Sequence, residues 1–455
     1  MTPPAGIEPE LQDLAARIVA EAARRGASAA ECVVATGRSL SVAVRLGATE
    51  SIHQAEGRSL GIRVFRGQRA GVTHSSDLAW PAVERMLDAA LAIAASASED
   101  PFAGLPDPRD LGALPTDLAL YSPAAAAVTP DEALALALRA ERAALDSDPR
   151  LTNSDGASFD AGEGVKILAN SLGFLGAVRR SSCSLSAVPI AAENGAKQRD
   201  YWYTVARSPD QLESPESVGR TAAQRTLRRL GARKVPTARV PVVFDPQAAR
   251  SLLGHLLEAA SGDAVYRQSS FLAGRLGQPV AAESVTLLDD GTLPGRLGSS
   301  PFDAEGVPTR RTPVIERGRL ASYLLNAYSA RKLSLSTTGN AARALAGPPG
   351  VASHNLWLEP GPQSPDALIA SVRNGLYVTE FIGFGVNPVT GDYSRGATGL
   401  WIENGALAYP VEEITVAGNL NDMLRAVAAV ANDLVFRGAV NSPTLLIEGL
   451  TVAGS

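Results

Sequence analysis

The sequence predicts an α+β fold: an N-terminal helix-and-antiparallel-sheet domain over residues 1–235, then a β-rich C-terminal domain with flanking helices over residues 236–455. Three observations predict it. Apolar residues recur at helical spacing in residues 9–26, then fall into short β-branched runs over the next fifty. The stretch Lys234-Val-Pro-Thr-Ala-Arg-Val-Pro241 divides the chain near its middle. Beyond it, glycine-containing turn pairs recur between apolar runs, as hairpins require.

Taken in order, Leu11, Leu14, Ala15, Ile18, Val19 and Ala22 form the stripe of a first helix that ends near Gly26. Five pieces, Val33–Ala35, Leu40–Arg45, Ile52–Ala55, Leu60–Phe65 and Arg69–Thr73, read as an antiparallel meander. A second helix covers about 79–96, and a loop rich in Pro, Asp and Gly crosses a surface over 98–118. Thr129 is the N-cap and Pro130 the first residue of a third helix that runs to about Leu145. Strand patterns return over 150–207, and a helix over about 214–231 closes the first half. The second half opens with the strand Val240–Phe244, then a helix capped by Asp245 that reaches about Ala260. Asp290-Gly291, Arg317-Gly318 and Asn404-Gly405 are the hairpin signals. The last helix covers about 419–432, and 443–452 reads as an edge or closing strand.

The chain has 455 residues, 45% apolar and 20% charged, with a net charge of −5. That balance speaks against a phosphate-binding surface and a nucleic-acid partner. The densest basic run, Arg225, Arg228, Arg229, Arg233 and Lys234, reads as a solvated turn at the end of a helix, favoured by its dipole. Cys32 and Cys183 stand far apart, which points to a reducing compartment rather than a disulfide scaffold. The N-terminus lacks a basic segment followed by an apolar one, and no apolar run approaches the ~20 residues that cross a bilayer. A cytoplasmic chain with no membrane partner is the expectation.

A zinc hydrolase needs three or four converging N, O or S ligands, and two histidines one helical turn apart usually supply part of the set. His53, His74, His255 and His354 are too dispersed for such a pair. No Gly-x-Ser-x-Gly elbow and no phosphate-binding Gly-Lys-Ser/Thr loop is present. Gly383-Phe-Gly385-Val-Asn-Pro388 superficially suggests a dinucleotide loop, but Pro388 stands at the third glycine and no helix follows. The most unusual stretch is Asp392, Tyr393, Ser394, Arg395 and Gly396, bracketed by Gly391 and Gly399. It reads either as a peptide-facing loop in which Arg395 grips a carboxylate, or as a turn with an Asp392–Arg395 ion pair feeding a strand over 400–403. Asp303 and Glu305 are a carboxylate pair suited to a hard cation or acid–base work, or to solvation and pairing with Arg310 or Arg311. Tyr328 and Arg331 share one side of a helical turn and read as packing plus a surface charge.

Several segments in order resemble the TldD/PmbA family, on its TldE (PmbA) branch. In the first half these are Leu60–Phe65, Arg69–Gly71 and Asp100–Pro106. In the second they are Asp263–Leu272, Ser300–Val307, Tyr328–Leu333, Gly391–Ala397 and Glu413–Leu420. The resemblance covers nearly the whole chain. It implies a heterodimer in which a TldD-type subunit carries an H-E-x-x-x-H zinc motif and a distal Cys, and cleaves unfolded or modified peptides in a closed chamber. It also implies a peptide held as an added β-strand. At the corresponding positions this chain has Leu253 for the first His, Gly254 for the Glu and Glu258 for the second His, with His255 out of register. Residues 437–443 offer no counterpart of the Cys.

The resemblance therefore implies a noncatalytic subunit that holds no metal or other cofactor of its own, beside a zinc-bearing TldD-type partner and peptide substrates. A stand-alone metallopeptidase with an unrecognised metal site, and a peptide-binding or maturation module without protease activity, are the alternatives. Self-association as a homodimer when the chain is alone stays open.

Overall fold

The computed structural model describes residues 9–345 and 347–454; the N-terminal octet, Met1–Glu8, lies outside the described residues. Helix α1 (Pro9–Arg24) precedes three long strands, β1 (Ala29–Arg45), β2 (Ala48–Arg66) and β3 (Arg69–Ser75). The five pieces read from the sequence are these three strands. Gly37 and Gly57, which lie between those pieces, face each other in register, and Gly37 also faces Gly164. A Cβ added at Gly37 would lie 3.0 Å from the Glu163 carbonyl oxygen. That glycine therefore serves close strand approach rather than a turn.

α2 (Trp80–Ser96), α3 (Pro123–Ala127) and α4 (Pro130–Leu145) follow, then β4 (Leu151–Asn170), β5 (Leu175–Glu193), β6 (Ala196–Arg199), β7 (Trp202–Ala206) and α5 (Pro215–Leu227). The strands form one antiparallel sheet in the order β3-β2-β1-β4-β5-β6, with β7 also on β5. α1 and α2 bury Ile18, Ala22, Val83 and Leu87 against Val34, Ile62 and Ile167 of the sheet. α4 and α5 cover its other end, where Ala133, Ala137 and Val218 meet Val42 and Phe159. The Thr129 cap forms as expected, in a reciprocal pair with Glu132. Between Ala48 and Ser59 the outer edge of β2 has no partner strand among the described residues, because β3 pairs only from Leu60 onward.

The second half runs β8 (Ala238–Phe244), α6 (Pro246–Ala260), α7 (Gly262–Tyr266), β9 (Leu287–Asp290), β10 (Arg311–Glu316), β11 (Arg319–Leu320) and α8 (Ala327–Leu333). Then come β12 (Ala341–Ala342), β13 (Gly350–Val351), β14 (Leu356–Leu358), α9 (Pro365–Ser371), β15 (Asn374–Ile382), β16 (Asp392–Glu403) and β17 (Ala406–Asn419). α10 (Leu420–Arg425), β18 (Val427–Val430), β19 (Val440–Asn441) and β20 (Leu445–Ala453) end the described chain. One sheet has the order β17-β16-β15-β8-β20-β18, and β17 also pairs with β20. Five strands thus close on one another as a barrel. β9, β10, β11, β14 and β19 form a second sheet.

Two expectations change here and one alternative is decided. The final helix stops at Arg425, because the segment from Val427 pairs with β20 instead. Of the edge and closing readings of the last strand the second holds: β20 closes the barrel, with β8 on one side and β17 and β18 sharing the other. Asp290-Gly291 is no hairpin, since the Asp290 carboxylate accepts the Thr292 amide (2.7 Å) and closes a side-chain turn. Asn404-Gly405 does turn a hairpin, with φ of 50° and 79°.

The basic run 225–234 is not a solvated helix end. Arg225 is buried between Asp200 (3.4 Å) and Asp245 (3.5 Å), and Arg229 pairs with Glu380 (2.7 Å). Arg233 stacks over Tyr409 (3.4 Å) and Lys234 pairs with Glu413 (2.8 Å). The run joins the first half to the second. Tyr328 and Arg331 do the same from α8: the Tyr328 hydroxyl donates to Asp100 (2.9 Å), and Arg331 donates to the carbonyls of Phe102 (2.8 Å) and Leu105 (3.0 Å). Among the described residues no helix is long and apolar enough to cross a membrane.

Candidate functional site

Helix α6 starts where the Asp245 side chain accepts the Gln247 amide (2.9 Å), and its apolar positions bury Leu252, Leu253 and Leu256. Leu253 is 2% exposed and, with Leu287, Leu424 and Leu445, lines an apolar gap of only about 10 Å³. A Cβ added at Gly254 would meet nothing within 4 Å, and Glu258 is exposed. Zinc needs ligand atoms at about 2.0–2.3 Å on converging vectors. Here one position is an aliphatic core residue, one has no side chain and one lies at the surface, so these residues do not fit the ion. Among the described residues no three His, Cys, Asp or Glu side chains converge on a metal-sized point. In the 437–443 segment the buried Asn441 closes a loop, accepting from the Arg437 amide (2.8 Å) and donating to the Gly438 carbonyl (2.9 Å).

The stretch 392–396 is the start of β16, a strand and not a loop. Strand alternation separates its side chains. Asp392 is exposed, accepting from the Thr390 hydroxyl (2.6 Å) and the Asn419 amide (3.1 Å), and those two contacts hold its carboxyl below the usual range. Tyr393 is 2% exposed and turned into the core. Ser394 is exposed, and Gly396 lies opposite Ile382 and Thr415. Arg395 donates to the Ser251 hydroxyl (3.2 Å) on α6 and to the Gly383 carbonyl (3.2 Å), and sits 5.0 Å over the Phe381 ring. The Asp392–Arg395 pair does not form, because an odd separation puts the two on opposite faces. Of the five residues, Tyr393 and Arg395 reach α6 while Asp392 and Ser394 face away.

His255 meets Tyr393 edge-on, at 6.2 Å and 76°. Its Nε2 and the Tyr393 hydroxyl are both buried without a hydrogen-bond partner among the described residues. Burial, then the Arg395 charge, pushes the imidazole below its ordinary pKa. Burial raises the phenol against the opposing pull of Arg395. His255, Tyr393 and Arg395 form a polar inclusion between α6 and β16.

Asp303 and Glu305 are not solvated and pair with neither Arg310 nor Arg311. Both are buried. Asp303 accepts the amides of Glu305 (2.8 Å), Val307 (3.0 Å) and Ala341 (3.0 Å), and Glu305 accepts that of Ala327 (2.8 Å). Burial pushes Asp303 up to about 6. Burial, then the Asp303 charge, pushes Glu305 up to about 8. Nearby, Glu31 of β1 binds Arg63 of β2 and Arg343 (2.6 Å). Burial alone would lift Glu31, but the two guanidiniums outweigh it and hold the carboxyl below its usual range.

Sequence reasoning missed Glu31, Arg63, Arg343, Lys166 and Arg180, which line the seam between the halves. The available signal was a lone charge inside an apolar run: Glu31 stands in Ala-Ala-Glu-Cys-Val-Val and Lys166 in Val-Lys-Ile.

Against known families, residues 30–94 match PmbA/TldA metallopeptidase domain 1, residues 123–230 the central domain and residues 237–454 the C-terminal domain. The chain is 43% identical to the Metalloprotease PmbA of Escherichia coli O157:H7, over 93% of this chain and 92% of that one. It is 41% identical to a Metalloprotease PmbA homolog of Haemophilus influenzae, over 98% and 97%. Among solved structures it is similar to a Bacteroides thetaiotaomicron protein proposed to modulate DNA gyrase, with a TM-score of 0.91, 30% identity and coverage of 99% and 100%. TldE from Thermococcus kodakarensis shares the fold, with a TM-score of 0.88, 21% identity and coverage of 97% and 100%.

Proposed function

This chain belongs to the PmbA/TldD metallopeptidase family, and from that premise we propose that it is the metal-free subunit of a two-chain peptidase whose TldD-type partner carries the zinc. One observation supports the reading above the others: α6 offers Leu253, Gly254 and Glu258 where the resemblance places two histidines and a glutamate, and Leu253 is sealed in the core. Metal-assisted hydrolysis needs a bound ion to activate water and polarise the carbonyl, so bond cleavage belongs to the other polypeptide. This chain shapes the chamber and holds peptide.

β16 is paired on both edges, by β15 and β17, so a peptide cannot be added to it as a strand. The β16 contribution is made by side chains: Arg395 toward an acidic group, with Asp392 and Ser394 on the outer face. The free edge of β2 over Ala48–Ser59 is where backbone pairing with an extended peptide or partner strand is open. The acidic balance of the chain fits a peptide partner in the cytoplasm better than nucleic acid.

The test is reconstitution. This chain and a partner bearing H-E-x-x-x-H are purified separately and mixed, with zinc content and peptide cleavage measured for each and for the mixture. Cleavage by the mixture alone, with zinc in the partner, is expected. Stoichiometric zinc in this chain, together with peptide hydrolysis by it alone, overturns the reading. Arg395→Ala is expected to lower turnover by the mixture severalfold; unchanged turnover removes β16 from the peptide surface.

A further inference from the structure

A polar cavity of about 260 Å³ lies between the N-terminal sheet and loops of the second half. Lys166 from β4 and Arg180 from β5 line it on one side, with Arg343, Asp303 and His354 on the other. The cations are poorly compensated. Neither Lys166 nor Arg180 makes an ion pair among the described residues, and the Arg180 Nε is buried without an acceptor. Arg343 gives Nη1 to Glu31 (2.6 Å), yet its Nε and Nη2 find no acceptor although the side chain is only 3% exposed. Asp303 faces the cavity, but its oxygens already accept three backbone amides. A buried guanidinium N–H without an acceptor is costly, and the cost is relieved by an anion that brings its own oxygens. Burial, followed by the charges of Arg343 and Arg180, holds the Lys166 ammonium down to about 8, as expected of an amine awaiting a counter-charge.

We propose that this cavity binds the free α-carboxylate at the end of a peptide, with Arg180, Arg343 and Lys166 as its cationic contacts. Charge balance calls for an anion: Glu31 is shared between Arg63 and Arg343, and ionised Asp303 offsets one further cation, so positive charge stays in excess. A carboxylate brings two oxygens to the N–H groups that lack acceptors, and the peptide-handling reading selects it over inorganic phosphate, which serves as a separate probe. At about 30 Å³ per water-sized group, the space holds roughly eight such groups, enough for a carboxylate and the residue that bears it. The inference rests on the peptide-handling reading above and names the part of the peptide that is recognised.

The experiment uses the full chain and three probes: an N-acetylated tripeptide with a free C-terminus, the same peptide as its C-terminal amide, and inorganic phosphate. Acylation of Lys166 by an amine-directed reagent at pH 8 is followed by mass spectrometry, with the exposed Lys197 as internal standard. The free acid is expected to slow Lys166 labelling by about tenfold, the equivalent of one good ionic contact, and the amide to leave it unchanged. Arg180→Gln is expected to abolish the protection without unfolding, since Arg180 has no ion-pair partner to lose. If that variant does not fold, loss of free-acid binding in Lys166→Gln, measured by calorimetry, takes its place. Equal protection by the amide, protection by phosphate alone, or no protection overturns the proposal. Lost protection with cleavage by the reconstituted complex intact sinks this site alone. Intact protection with no cleavage by the complex sinks the subunit reading alone.

Discussion

Helix α6 and the seam between the two halves have treated buried charge in opposite ways. At α6, Leu253 faces the core, enclosed by other leucines, and no ion pair among the described residues is buried beside it. In the seam, Glu31, Arg63 and Arg343 are buried together, Asp303 and Glu305 are sealed among backbone amides, and Arg225 lies between Asp200 and Asp245. Apolar residues of similar volume often match or exceed the stability of a buried ion pair. Charges kept at such a cost therefore do something other than maximise stability, and their placement indicates what. Each group bonds across the seam or fixes a loop at it, so together they set how the halves dock. α6 at Leu253 is a packing element.

The largest effect that can break this contrast is at Glu31. Glu31→Gln keeps the shape and removes the charge, leaving Arg63 and Arg343 buried without their anion. Loss of one partner of a buried pair costs about 3–5 kcal/mol. Chemical denaturation should show that loss in the isolated chain. A change below about 1 kcal/mol would mean that the two guanidiniums do not depend on Glu31, and that the seam is not organised by charge.

A smaller, pH-dependent effect sharpens the same point at Glu305. Burial and the neighbouring Asp303 raise its folded pKa from 4.5 to about 8. A raised carboxyl contributes stability that is fully present below its unfolded pKa and is lost as pH rises through about 8. Glu305→Gln keeps an oxygen to accept the Ala327 amide and does not titrate. The variant should gain on the wild type between pH 4.5 and 8, by roughly 1–3 kcal/mol once interior relaxation is allowed for. Thermal midpoints across that range measure it. A constant difference would show that Glu305 titrates like an exposed carboxyl.

The contrast also explains what could be read before the structure. α4 and α6 were legible because their signals are local: Thr129 and Asp245 cap them from the adjacent residue, and apolar spacing marks the buried face. The placement of Leu253, Gly254 and Glu258 was legible for the same reason, since all three fall on α6. The seam was not. Glu31 meets Arg343 across 312 positions, and Tyr328 meets Asp100 across 228. No local pattern announces such a contact, so the basic run 225–234 reads as solvated, and none of the readings open to Asp303 and Glu305 is burial among backbone amides. The meander is there, but with three strands in place of five pieces, because at the glycines of β1 and β2 a residue that usually ends a strand instead lets a neighbouring strand come close. At Asp392–Gly396 a turn-like composition concealed a strand whose alternating faces divide the cluster in two.

The smallest effect bears on why α6 has kept a glycine. Glycine inside a helix costs about 0.5–1 kcal/mol relative to alanine. At Gly254 an added Cβ meets nothing within 4 Å, so packing within this chain does not require the smaller residue. Gly254→Ala should therefore raise stability by up to about 1 kcal/mol in a thermal melt. A loss of stability would mean that α6 has a close neighbour at this turn, and the account of it as a relaxed packing helix would fail. The informative case is a stabilised variant that turns over peptide more slowly in the reconstituted complex. The bare backbone at 254 would then serve something outside this chain, a peptide or the partner's surface passing within contact distance of the helix. Gly254 would matter for the space it leaves rather than for any contact inside the chain.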